Sequence, residues 1–181
     1  MSSTYAVRVA TVDDIPLLVA YRRAMFESMG MQDKPALSAM CEAMSLYLLA
    51  ALPSGEYRGW VAVAGSEVMA SGGVVIQRLP PSPRNMDGRQ GYIMNIYTAP
   101  AWRRRGVATD IVQAILDYLR QVGVPVATLH ATDAGRPVYE HLGFTPTNEM
   151  RLIMNGIQVG VNGAHVGAAT SREAPVNAEQ R

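Results

Sequence analysis

The sequence predicts a single α/β (α+β) domain, one mixed sheet flanked by helices. Three observations predict it. The hydrophobic period is helical near the start, falls to two in the middle and turns helical again from Gly106. The order of the periodic segments is β-α-α-β-β-β-α-β-α-β, which fits layers around one sheet. The 181 residues, 49% hydrophobic and 17% charged, suffice for one domain with a buried core.

Each element follows from local signals. "YAVRVA" (Tyr5 to Ala10) alternates and reads as a strand. Thr11 can cap the next helix, Asp13 and Asp14 suit its positive end, and Pro16 is tolerated in its first turn. Ile15, Leu18, Met25 and Met29 make its apolar stripe. "MGMQDKP" breaks it, and a second helix is expected over about 36–52, stopped by "PSG". Gly59 to Arg78 reads as two strands joined at Gly65-Ser66. Gly72-Gly73 inside the second predicts a bulge or a close backbone approach. Leu79 to Gln90 is a loop by composition, and Gly91 to Pro100 is a third strand of this run. The strongest helix is "GVATDIVQAILDYLRQVG", with Ala108, Ile111 or Val112, Ile115, Leu119 and Val122 on one face and Gly123 as its stop. A short strand over Val126 to Ala131, a short helix over Gly135 to Phe144 and a last strand over Glu149 to Met154 complete the domain, 1–154. Residues 155–181 are rich in Gly, Ala and Asn, lack aromatics and read as a flexible tail.

Bulk properties exclude several classes. A net charge of +1 argues against a protein that coats nucleic acid or an anionic membrane. The single cysteine, Cys41, excludes an internal disulfide framework and a Cys-rich zinc site, and reads as a small apolar residue. No histidine, cysteine or carboxylate spacing suggests a metal. "MSSTYAVRV" is no signal peptide, and the run Leu46 to Leu52 is too short to span a bilayer. A soluble, cytoplasmic protein is expected.

"PAWRRRGVATDI" (Pro100 to Ile111) holds the densest chemistry. It joins a strand to a helix whose first N–H groups lack internal partners and whose dipole end is positive, an anion site built from main chain. Gly106 allows close approach, and Arg103, Arg104 and Arg105 add forks that match phosphate. A diphosphate is the natural guest, and a solvated basic turn is the bland alternative. Neither a P-loop nor G-x-G-x-x-G is present.

The same stretch resembles the acyl-coenzyme-A signature of the GNAT (GCN5-related) N-acetyltransferases: a strand ending in proline, then Arg/Gln-x-x-Gly-x-Gly/Ala opening a helix. Arg103 to Ala108 fits position for position. "RPVYEHLGF" (Arg136 to Phe144) is similar to the family's second signature, Tyr-Glu-x-x-Gly-Phe. The resemblance covers residues 5 to 154 and implies a mostly antiparallel mixed sheet. It also implies an acetyl-CoA-dependent N-acetyltransferase acting by direct attack of an amine in a ternary complex.

By that resemblance Ile96, Tyr97 and Thr98 pair with the pantetheine arm. Arg103, Arg104, Arg105, Gly106, Val107, Ala108 and Thr109 wrap the pyrophosphate. Ile96 and Tyr97 serve equally as strand core. Met94-Asn95 corresponds to the bulge that splays this strand from its neighbour, and Asn95 reads alternatively as an ordinary polar strand residue. Tyr139 corresponds to the general acid that protonates the leaving thiolate; its plain alternative is packing of the last helix. Thr132 stands where many members carry an asparagine that touches coenzyme A. Members often place a basic glutamate on the strand before the turn; here 91–100 holds no carboxylate, which leaves Glu27, Asp133, an ordered water or no base at all.

The resemblance places the acceptor between the first two helices, Leu17 to Leu52, and the loop Thr145 to Glu149. Met25, Met29, Met31, Met40 and Met44 there read first as core and second as an adaptable pocket. A small-molecule or peptide amine is the expected partner, with no nucleic acid or membrane partner and a homodimer among the assemblies the family allows. The alternative function is a non-catalytic acyl-CoA-binding module.

Overall fold

The structure is a computed structural model, and it describes residues 5–152 and 154. The chain divides into two units, Met1–Thr147 and Asn148–Arg181.

In the first unit β1 (Ala6–Val9) leads through a 3-10 turn (Val12–Asp14) into α1 (Ile15–Ser28) and α2 (Lys34–Ser54). Then come β2 (Tyr57–Ala64), β3 (Glu67–Arg78), β4 (Arg89–Thr98), a 3-10 turn (Pro100–Trp102), α3 (Val107–Gln121), β5 (Val126–Thr128) and α4 (Arg136–His141). The five strands lie in sequence order. The first three pairings are antiparallel and β4–β5 is parallel, so the sheet is mixed, as expected.

Local chemistry explains the helix starts. The Asp14 carboxylate accepts from the Thr11 backbone N–H at 2.7 Å and pairs with both terminal nitrogens of Arg8 at 2.8 Å. That tie holds its carboxyl below the usual range and joins β1 to the entry of α1. The side chain of Asp33 caps α2 by accepting from the Ala36 N–H at 3.0 Å, with Pro35 in the first turn. The second helix is therefore longer than the expected 36–52: capping carries it back to Lys34, and Gly55, at φ 77°, ends it beyond Pro53.

Two apolar layers cover the sheet. One face packs α3 through Val107, Ile111, Val112, Ile115 and Leu119 onto Trp60, Met69, Val74 and Ile93. The other packs α1 and α2 through Ile15, Leu18, Met44 and Leu48 onto Tyr57 and Val61. The α3 stripe keeps the expected Ile111, Val112, Ile115 and Leu119; at its start Val107, one turn before Ile111, is buried, while Ala108 and, at its end, Val122 are only half-buried. By length and composition α2 would suffice to cross a membrane; Leu37, Met44, Leu48 and Ala51 are buried in this domain's core.

The expected bulge at Gly72-Gly73 is present. Ser71 pairs with Tyr97 and Gly73 with Met94, so Asn95 and Ile96 together oppose Gly72, and Asn95 takes φ 59°. Close approach occurs as well: a side chain on Gly73 would run into the Tyr57 ring.

In the second unit the described residues correct one expectation. Residues 149–152 form no strand, and Met150, Leu152 and Met154 are 94%, 80% and 87% exposed. Alternation marks which side chains share a face, but a strand also needs a neighbouring strand for its ladder of hydrogen bonds, and among the described residues no strand is laddered with 149–152. The tail expected over 155–181 lies outside the described residues.

Candidate active site

The sheet opens at β4. Strands β4 and β5 pair at only three positions, Gln90 with Val126, Gly91 with Ala127 and Tyr92 with Thr128. At the last pair the Tyr92 hydroxyl is hydrogen-bonded with Nδ1 of His130 at 2.6 Å. Beyond it β4 runs on to Thr98 with no partner on its β5 side among the described residues. The bulge bends β4 at this place. The main chain of Tyr97 and Thr98 thus pairs with β3 on one side only, Ile96 lies in the bulge, and the Thr98 hydroxyl oxygen is buried without a partner among the described residues.

The open stretch runs directly into the turn. Arg103 is extended, Arg104 takes φ 60° and Gly106 takes φ 81° as N-cap of α3, which no side chain caps. A positive φ at the cap requires glycine far more than close contact does, since a Cβ on Gly106 would meet nothing within 4 Å. The uncapped first turn leaves the N–H groups of Val107, Ala108 and Thr109 without intrahelical acceptors. Two arginines are held in place. Arg103 donates from Nε to the Thr98 carbonyl at 3.1 Å and lies over the Tyr97 ring, while Arg105 lies over Trp102, whose indole N–H donates to Glu67 at 2.6 Å. Bare strand edge, uncapped helix start and anchored cations follow one another within Ile96 to Thr109. That arrangement fits an extended chain ending in a diphosphate.

Tyr139 sits on α4, half-buried, with its ring edge against Phe144 at 6.0 Å between centroids. Burial pushes its phenol above the usual 10, so the hydroxyl keeps its proton at neutral pH. Thr132 accepts from the Gly135 N–H at 3.2 Å and turns the chain into α4.

Both candidate bases are exposed. Glu27 pairs with Arg23 at 2.9 Å on the exposed last turn of α1, a helical i,i+4 pair, and Asp133 is exposed in the loop before α4. The segment 145–147 is exposed and irregular.

On the opposite face α1, α2, β3 and β4 border a cavity of about 370 Å³ that is open to solvent, lined by Arg22, Met40, Met44, Tyr47, Met94 and Asn95 among others. The bulge breaks the strand's alternation, so Met94 and Asn95 both serve this face while Ile96 packs toward α3. Of the five methionines considered from sequence, Met40 and Met44 line the cavity; Met29 is exposed. From sequence Asn95 reads as a bulge or polar strand residue and Arg22 as one of several charges on the first helices; their pairing in the cavity wall is not read there. One signal existed for Arg22: it falls on the apolar stripe between Leu18 and Met25, where a cation is out of place.

Residues 23–144 match the family model of the acetyltransferase (GNAT) family. No curated protein matches the chain. Among solved structures, a GCN5-related N-acetyltransferase from Ralstonia eutropha is 33% identical, with a TM-score of 0.79 over 84% of this chain and 100% of that one. A predicted acetyltransferase from Clostridium acetobutylicum, solved with acetyl-CoA, is 27% identical with a TM-score of 0.76, over 83% and 96%. An aminoglycoside N-acetyltransferase solved in complex with CoA shares the fold at 16% identity and a TM-score of 0.65, over 86% and 97%. Among the described residues no group of three or more His, Cys, Asp or Glu could hold a metal ion.

Proposed function

Because the chain belongs to the GNAT acetyltransferase family, we propose that it transfers an acetyl group from acetyl-CoA to a primary amine by direct attack in a ternary complex. The observation that carries this reading is the unpaired β4 edge leading into the uncapped start of α3. The main chain of Ile96, Tyr97 and Thr98 would align the donor's extended arm. The N–H groups of Val107, Ala108 and Thr109, backed by Arg103, Arg104 and Arg105 across Gly106, would hold its diphosphate. Attack of a neutral amine on the thioester carbonyl forms the amide and breaks the carbon–sulfur bond. The departing thiolate takes the Tyr139 hydroxyl proton, and the amine's extra proton passes to water. Since no carboxylate lines the cavity, the amine enters this scheme in its neutral form.

Thermal unfolding with and without acetyl-CoA tests the donor site. At about a hundred times the dissociation constant the ligand adds roughly 2.7 kcal/mol, a rise of roughly 5 to 10 °C for a chain of this size. A rise followed by amine-dependent release of free thiol supports the enzyme. A rise without thiol release from any amine would favour a non-catalytic acyl-CoA-binding module, and no rise would reduce the arginine turn to a solvated corner.

A further inference from the structure

The cavity between the helices and β4 is lined by a half-buried cation, Arg22, that pairs with no carboxylate among the described residues. Arg22 projects from α1 among apolar neighbours, and burial pushes its guanidinium below the usual arginine value. Its Nη1 donates to the Asn95 side-chain oxygen, its guanidinium carbon lies 5.1 Å from the centre of the Phe26 ring, and its Nε is buried with no partner. No aspartate or glutamate pairs with it among the described residues. An arginine stays charged in a protein. A buried charge is costly unless paired, and an amide and a ring face supply dipoles but no opposite charge.

The charge is also held in place. Asn95 sits on the bulge at positive φ, and its amide donates to the Tyr57 hydroxyl at 3.2 Å. Tyr57 is buried, with its phenol pushed up to about 12. The chain Tyr57–Asn95–Arg22 fixes the fork at the cavity wall, and the rest of that wall is Met40, Met44, Tyr47 and Met94. Supported polar groups within an apolar pocket are the usual make-up of a small-ligand site. At about 370 Å³ the cavity lies at the small end of such sites. Asn95 is followed directly by Ile96–Thr98, where the reading above places the donor.

We propose that Arg22, oriented by Asn95, receives the carboxylate of the acceptor, and that the acceptor class is free amino acids with an apolar side chain. This rests on the proposed function, whose donor strand lies beside the cavity. The carboxylate supplies the missing anion, the methionines and Tyr47 take the side chain, and an amine one carbon from the carboxylate is left at the strand segment Ile96–Thr98.

The test uses matched pairs differing only in the carboxylate: L-phenylalanine against 2-phenylethylamine and L-leucine against 3-methylbutylamine. Their N-acetyl derivatives serve as binding probes in the presence of CoA. The carboxylate member is expected to bind more tightly by roughly tenfold to a hundredfold, the worth of one or two hydrogen bonds to a charged group. Arg22→Met should remove that preference and Arg22→Lys should keep part of it; the acetyl-CoA-induced rise in Tm reports whether each variant is folded. Should Arg22→Met fail to fold, the wild-type pairs and Arg22→Lys still decide. Equal affinity for both members of each pair, or a preference that survives Arg22→Met, overturns the proposal. The binding comparison needs no turnover, so failure of acetyl transfer, read as absence of thiol release, is a separate result.

Discussion

Two proposed sites meet at β4, a donor wedge running from the β4 edge into the start of α3 and an acceptor cavity on the other face, and they are built from different groups. At the wedge the groups on offer are main-chain ones: the free edge of Ile96 to Thr98 and the N–H groups that open α3. At the cavity they are side chains carried by four elements, with Arg22 from α1, Met40 and Met44 from α2, Val75 from β3 and Asn95 from β4. A main-chain site needs a particular backbone path, and that path is dictated by a short contiguous stretch. A side-chain site needs the whole fold before its members meet. The first kind tolerates changes of side chain; the second depends on each member and on what supports it.

The largest expected effect lies where the two regions join in chemistry. Tyr139→Phe keeps the ring contact with Phe144 and removes the proton donor. We expect kcat to fall by roughly a hundredfold or more, within the usual range for a positioned acid, with the acetyl-CoA-induced rise in Tm retained. The phenol's raised pKa fixes the sign of the pH dependence: the donor form persists through neutral pH, and activity falls as pH rises through a value above 10. Steady-state kinetics of thiol release, with a pH profile on the wild type, checks both. An unchanged kcat in the variant would return Tyr139 to a packing role.

The contrast between the regions also explains what was legible in the sequence. The path of Arg103 to Ala108, a turn opening a helix, was legible because Gly106 and the helix that follows state it locally. The sheet was readable from period-two alternation, and the bulge from Gly72-Gly73. The cavity was not readable. Arg22 and Asn95 stand 73 positions apart with nothing between them that announces their hydrogen bond, and Asn95 faces Arg22 only because the bulge breaks alternation. The same limit applies to "EMRLIM": its pattern is strand-like, and pattern alone supplies no partner.

A second prediction sharpens the comparison through stability. Adding a methyl group at Gly73 forces it into the rigid ring of Tyr57, whose hydroxyl holds Asn95. Gly73→Ala should cost about 1 to 3 kcal/mol, as overpacked cores do, and should weaken carboxylate binding at Arg22. Gly106→Ala has open space around it and is strained only by its φ of 81°, so its cost should be about 1 to 2 kcal/mol, without effect on the carboxylate preference. Urea unfolding of the two variants gives both numbers. A Gly73→Ala variant as stable as wild type would mean that the Tyr57 ring yields easily, and the support argued for Arg22 would weaken with it.

The smallest effect is expected at Arg104, where the wedge should prove most tolerant. Arg104 is a side-chain-bearing residue at φ 60°, a region that costs an L-residue about 1 to 2 kcal/mol. Arg104→Gly removes that strain and adds the entropy that a glycine loses on folding, about 0.5 to 1 kcal/mol. The two nearly offset, leaving a change of about 0.5 to 1 kcal/mol in favour of the variant. The substitution also removes one exposed cation from the turn, while the N–H groups at the start of α3 stay in place. Affinity for acetyl-CoA, followed by titration calorimetry, should therefore fall by less than about tenfold, and by less still at high salt, where an exposed charge is screened. A loss well beyond tenfold would mean that the Arg104 side chain, rather than the main chain, grips the diphosphate, and the wedge would then be built on the same plan as the cavity.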